Sequence, residues 1–205
     1  MAINMAQKRA KKAQRRKQVL AEKRRAELLE KGLPARVLRA AQAPIQGCFV
    51  TEALFEIGIG TLILARGATS NHVTFGSFLI DVFCLGIKNV TFDSVEGDVF
   101  EMYLNVSDAS SPLVSVEPSY ARKLLRDLAA WSGSIGFAPH RDLAAVERIF
   151  GDISADANDV VFQFGHDGKP LYIPGPNDTP ALVRQRIAQL QNRLGDAGFG
   201  YAAAA

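Results

Sequence analysis

HVTFGSFLIDVFCLGIK, residues 72–88, is almost unbroken apolar sequence, with Asp81 its one carboxylate. β-Branched and aromatic residues crowd it, and Gly76 and Gly86 punctuate it. A half-solvated strand alternates apolar with polar side chains, whereas this run does not. It therefore predicts a strand over 72–87 that is central in its sheet and covered on both faces. Outward from it, the composition predicts strands over 46–50 and 56–66, the latter joined to the central strand through residues 67–71 as an antiparallel pair. Residues 97–105 fit strand and helix equally, and residues 107–112 read as loop. Beyond them come helices over 118–131, behind Pro118, and over 141–150, closed by Gly151. Residues 159–164 and 171–173 flank GHDGKP at 165–170, a hairpin composition. Asp178-Thr179-Pro180 then offers a cap followed by proline for a helix to about residue 194, followed by a small-residue tail expected to be loose. The fold class expected is α+β: an antiparallel core sheet packed with three helices from the C-terminal half, preceded by a basic helical arm. Its divisions are an arm at 1–40, a globular domain at 41–195 and a flexible tail at 196–205.

Charge is split along the chain. Residues 1–40 hold thirteen of the 24 Lys and Arg and only three acids, a net of +10, while the remaining 165 residues carry a net of −7. Residues 6–31 lack Gly and Pro and consist mainly of strong helix formers, so helix is the local preference until Gly32 and Pro34 stop it. An Ala- and Pro-rich linker is expected to follow. Such an arm repels itself and has few large apolar groups, which makes a polyanion its natural partner. The residues placed to meet phosphates are Lys8, Arg9, Lys11, Lys12, Arg15, Arg16, Lys17, Lys23, Arg24 and Arg25. A solubilising tail, or an arm folded onto its own acidic body, are the plainer alternatives.

Cys48 and Cys84 sit in apolar surroundings without the spacing of a metal or redox motif, and read as reduced core thiols. No apolar run approaches a membrane span, and the arm lacks Ser and Thr and carries glutamates, unlike a transit peptide. A cytoplasmic protein with no membrane partner is the expectation. Phosphate-loop, dinucleotide and paired-histidine motifs are absent, so neither cofactor nor metal is expected.

Four places carry possible chemistry. Pro139-His140-Arg141-Asp142 offers a histidine as general base with Asp142 to orient it, although Asp142 as a helix cap is the simpler assignment. Asp81 inside an apolar strand must be hydrogen-bonded or face an opening. Cys84 with His140 as its base is conceivable, against an inert core thiol. Lys88 and Asn89 could rim a cleft, while Lys169 and His166 lie in turn-like sequence.

The stretches HVTFGSFLIDVFCLGIKN, GFAPHRD, IFGDI and FGHDGKPLYIPGPND resemble an uncharacterised family of bacterial proteins sharing FGxFLVDxxCLGVK, PHxD and FGxDGKPxYxxGPxD, with Ile80 and Ile87 standing here where valine is expected. The resemblance spans residues 45–190 and implies one domain. It brings no activity with it, but suggests that Asp81, Lys88, His140 and Lys169 meet in one cleft.

Three functions are consistent with this sequence. The first is an RNA-associated accessory protein whose partner is RNA or a ribonucleoprotein such as the ribosome. The second is a small hydrolase or nuclease with its cleft near Asp81, Lys88, His140 and Lys169. The third is an interaction module whose acidic face binds a protein.

Overall fold

The computed structural model describes residues 32–69 and 71–202, together with Arg16 and Lys17. Five antiparallel strands form the core sheet in the order β4-β3-β2-β1-β5: β1 (Ile45–Thr51), β2 (Ile59–Thr69), β3 (His72–Asp81), β4 (Gly86–Glu96) and β5 (Leu113–Ser115). Around them lie α1 (Leu33–Ala40), the short α2 (Leu54–Ile57), α3 (Gly97–Ser110), α4 (Pro118–Ser134), α5 (Leu143–Val146) and α6 (Pro180–Leu194). Two short parallel strands, β6 (Leu171–Tyr172) and β7 (Gly200–Tyr201), complete the chain. The α+β class holds.

The two-face burial expected of residues 72–81 is realised, because a strand's side chains alternate and both sides meet a helix. From one face Phe78, Ile80, Leu62 and Leu64 join Leu124, Leu125 and Leu128 of α4 in the main core. From the other, Phe75, Val73, Ile63 and Ala65 meet Phe100 of α3. Ser77, the polar member of that second face, is satisfied by the Tyr103 hydroxyl at 2.9 Å. A third apolar cluster of Cys84, Leu85, Tyr172 and Leu190, with Val183 and Ile187, seats α6 on the end of β3 and β4.

Several sequence expectations are corrected. Residues 72–87 are not one strand but a hairpin, β3 and β4 turning through Val82–Leu85 and closing with Asp81 opposite Gly86. The chain turns because the Asp81 carboxylate captures the amides of Phe83 and Cys84, and because Gly86 adopts φ +71°. Residues 97–110 are helix, which absorbs most of the expected loop; Ser107 and Ser110 donate their hydroxyls to the carbonyls four residues back. The helix expected over 141–150 is α5 followed by a 3-10 turn at Glu147–Phe150. The linker expected after Gly32 is α1, with Pro34 in its first turn and Val37 fully buried.

The hairpin expected over 159–173 does not form. Residues 159–164 are extended with no ladder partner among the described residues, and Leu171–Tyr172 pair instead with Gly200–Tyr201, so the tail is held as far as its Tyr201. The alternation of Phe162 and Phe164 is satisfied by rings: Phe162 stacks on Phe55 and meets Tyr120 edge-on, while Phe164 packs on Trp131. The intervening turn is real, with positive φ at Gly165, Asp167 and Gly168 and a bridge from His166 to Lys169. The arm helix expected over 6–31, and with it the proposed phosphate-contacting residues, lies outside the described residues except for Arg16 and Lys17, which are helical and exposed.

Candidate functional site

The turn Val82–Leu85 is the floor on which the site is built. It is buried, so its backbone groups need partners. Three distant segments supply them. Val82 N–H donates to Gly58 O at 2.8 Å, Gly165 N–H to Val82 O at 2.8 Å, and Leu171 N–H to Phe83 O at 3.0 Å. The amides of Phe83 and Cys84 donate to Asp81 Oδ1 at 3.0 and 2.8 Å. Gly58, at φ +82°, passes so close that a methyl there would lie 2.1 Å from the Phe83 ring.

Between these segments lies a cavity of about 200 Å³, walled by Ile57, Gly58, Ile59, Phe83, Leu171 and the run Ile173–Pro176, with Asp81 and Lys88 as its ionisable groups. Lys88 reaches it through a β-bulge. Leu79 pairs with Asn89 and Ile80 with Ile87, leaving Lys88 unopposed and re-aimed out of the sheet's alternation.

Asp81 is 7 % exposed. Burial pushes its carboxyl above the usual range, and the amides of Cys84, Leu85 and Phe83 together with the Lys88 charge oppose this without cancelling it. Lys88 Nζ donates no hydrogen bond to any described residue, although the carboxylates of both Asp81 and Asp178 act on it electrostatically. A methyl at Gly175 would sit 3.8 Å from both Lys88 Nζ and Asp178 Oδ2.

Asp178 is itself engaged. Its Oδ2 accepts from Tyr172 O–H at 2.9 Å, Gly175 N–H at 3.0 Å and Arg186 Nη1 at 2.5 Å. Burial raises its pKa, but the Gly175 amide, the Tyr172 hydroxyl and the charges of Arg186 and Lys88 outweigh that and hold it below the usual carboxylate range. Asp178, Tyr172 and Arg186, which flank the cavity without lining it, were not foreseen as neighbours of the site. The GPND turn at 175–178 was their only sequence signal, and turn chemistry explains it equally well.

The four residues suggested to meet are divided by the structure. Asp81 and Lys88 share the cavity; His140 and Lys169 are not among the residues that line it. Lys169 Nζ is exposed and donates to Ala197 O at 3.1 Å. His140 is tied to β4 through its backbone, donating to Ile87 O at 3.0 Å, while its Nδ1 accepts from Asp142 N–H at 3.3 Å and lies 3.9 Å from Asp142 Oδ2. Asp142 occupies the N-cap position of α5, yet its side chain makes no capping bond. Cys84 is fully buried; burial, reinforced by the Asp81 charge and opposed by Arg186 and Lys88, pushes its thiol up to about 12. A thiol so raised is protonated at neutral pH, which removes Cys84 as a nucleophile.

Among the described residues no group of three His, Cys, Asp or Glu side chains is arranged to hold a metal, and no helix is long and apolar enough to cross a membrane. No protein-family model matches the chain, and neither a curated protein nor a solved structure is significantly similar to it.

Proposed function

We propose that the protein is an RNA-associated accessory protein of the cytoplasm, with a ribonucleoprotein such as the ribosome as its partner. One observation carries this reading: a net charge of +10 is concentrated in residues 1–40 and set against −7 in the rest of the chain. Lysines and arginines that neutralise phosphates release condensed counterions, so binding is strong at low salt and falls as salt rises. Because the arm has no aromatic side chain to stack on bases, recognition is of backbone charge and shape, with little preference for sequence.

The test compares pull-downs of the intact chain, with and without nuclease, against a truncation that begins at residue 32. The boundary matters, because Val37 belongs to the core and a deletion through residue 40 would confuse lost binding with lost folding. Nuclease-sensitive binding by the intact chain alone is expected, with a log-log salt slope of about −0.7 to −0.9 per phosphate contact. Binding that survives the truncation, or that ignores salt, refutes the reading.

A second reading, an enzyme of hydrolase or nuclease type, is favoured by one observation: Asp81 and Lys88 open into the same cavity. Turnover of ester or phosphodiester substrates that is abolished by Lys88→Met would establish it. Capture of a protein partner after nuclease treatment would instead favour the interaction-module reading.

A further inference from the structure

The cavity beside Lys88 is apolar on nearly every side, and its polar groups are unevenly satisfied. Asp81 Oδ1 already accepts two amides, and Asp178 Oδ2 accepts three donors, among them the Arg186 guanidinium that balances its charge. Lys88 Nζ has no acceptor among the described residues. Lys88 Nζ can therefore take an acceptor that an entering group brings. Around that ammonium stand large aliphatic side chains left partly in water: Ile57 at 47 %, Ile59 at 40 % and Ile173 at 43 % exposure. An exposed apolar rim around an ammonium that donates no hydrogen bond is the composition of a small-ligand site.

We propose that this cavity binds a small monocarboxylate with an aromatic or branched aliphatic body, its carboxylate on Lys88 Nζ and its hydrocarbon against Ile57, Ile59, Phe83 and Ile173. Size fits this class. A cavity of about 150 Å³ accommodates a benzene ring, and this one is about 200 Å³. Charge fits it too: the Asp178 carboxylate is paired with Arg186, which leaves Lys88 as the cation facing the cavity. An ammonium ligand would meet Lys88 with like charge and find one oxygen of each carboxylate already taken. The proposal does not depend on the arm, whose partner is a separate matter.

Isothermal titration of the full chain tests it, with benzoate and 3-methylbutanoate as probes and benzylamine and benzyl alcohol as controls of matched size. The carboxylates are expected to saturate one site at millimolar concentration or below, the controls to bind more weakly, and Lys88→Met to weaken benzoate at least about tenfold, as loss of one charge-assisted hydrogen bond does. Ile173→Glu is the second variant. It adds a carboxylate at the mouth without touching Lys88, the exposure of Ile173 makes it tolerable to folding, and it too should weaken benzoate. Equal affinity for benzylamine or benzyl alcohol, undiminished benzoate binding in both variants, or no heat from either carboxylate up to about 10 mM would overturn the proposal.

Discussion

Replacing Asp81 by alanine and by asparagine separates two jobs done by one carboxylate. Its Oδ1 is the acceptor for the amides of Phe83 at 3.0 Å and Cys84 at 2.8 Å, both in the buried turn between β3 and β4. Alanine orphans both amides. A buried donor left unpaired costs about 1–3 kcal/mol, so Asp81→Ala should lose roughly 2–5 kcal/mol. Asparagine keeps an acceptor oxygen and drops the charge, and should fall within about 1.5 kcal/mol of the wild type near neutral pH. The charge itself is read from pH. Burial raises the Asp81 pKa above its ordinary value of 3.8, so the folded state holds the proton more tightly than the unfolded chain. A raised carboxyl contributes stability that is present at low pH and lost as pH rises through the folded pKa. Wild type should therefore gain on Asp81→Asn as pH falls from above its raised folded pKa towards the ordinary carboxylate value of 3.8. Urea unfolding followed by the fluorescence of Trp131 measures both effects, since this single tryptophan packs 5.4 Å from Phe164 and loses that contact on unfolding. Alanine no worse than asparagine, or a gap between wild type and Asp81→Asn that ignores pH, would refute the reasoning.

Three further outcomes follow from the same geometry. Arg66, 7 % exposed, donates Nε to Ile149 O at 2.6 Å, Nη1 to Ala43 O at 2.6 Å and Nη2 to Phe150 O at 2.8 Å. A lysine ammonium cannot span that fork, so Arg66→Lys should cost roughly 2–4 kcal/mol in denaturant unfolding. Asp178, held below the usual carboxylate range, contributes stability above its unfolded pKa that is lost as pH falls through its folded pKa. Asp178→Asn should accordingly be less stable than wild type at neutral pH, with the gap closing in thermal melts as pH falls below the usual carboxylate range. Cys48 and Cys84 are both raised to about 12, so neither should react with a disulfide reagent near pH 8 in the native protein, and two thiols should appear after denaturation.

Residues 72–81 announced their place because burial on both faces leaves a compositional mark that no solvated strand carries. Pro118 and Pro180 announced two helices for a similar reason: a proline in a first turn is a local signal with a local cause. The turn at Val82–Leu85 gave no such signal. It has neither an Asn-Gly pair nor a polar cluster, and is made by the Asp81 side chain, whose carboxylate in an apolar run equally suits a cleft. Residues 159–164 misled in the opposite direction. Their period-two pattern is genuine, but Phe55, Tyr120 and Trp131 absorb it without a neighbouring strand. For the site, Asp81 and Lys88 were visible from their position at the end of the apolar run. Asp178, Tyr172 and Arg186 reach it only through the docking of α6 and β6, a long-range contact that no local pattern encodes.

The cavity's form rests on backbone bonds more than on its lining. Gly58 O, Gly165 N–H and Leu171 N–H are each anchored to Val82 or Phe83, and it is the neighbours of Gly58 and Leu171, namely Ile57, Ile59 and Ile173, that make the rim. Substitution at those rim positions changes what the cavity contacts while sparing every bond that holds the segments together. Substitution of Asp81 does the reverse, since it loosens the turn to which all three segments are tied. The positions that set ligand preference are thus separable from those that keep the cavity open, and a site held open in this way loses little conformational freedom when it is filled. Lys88 belongs to neither group: as the unopposed residue of a bulge it can lose its charge without disturbing a cross-strand pair, which makes Lys88→Met a test of the charge alone.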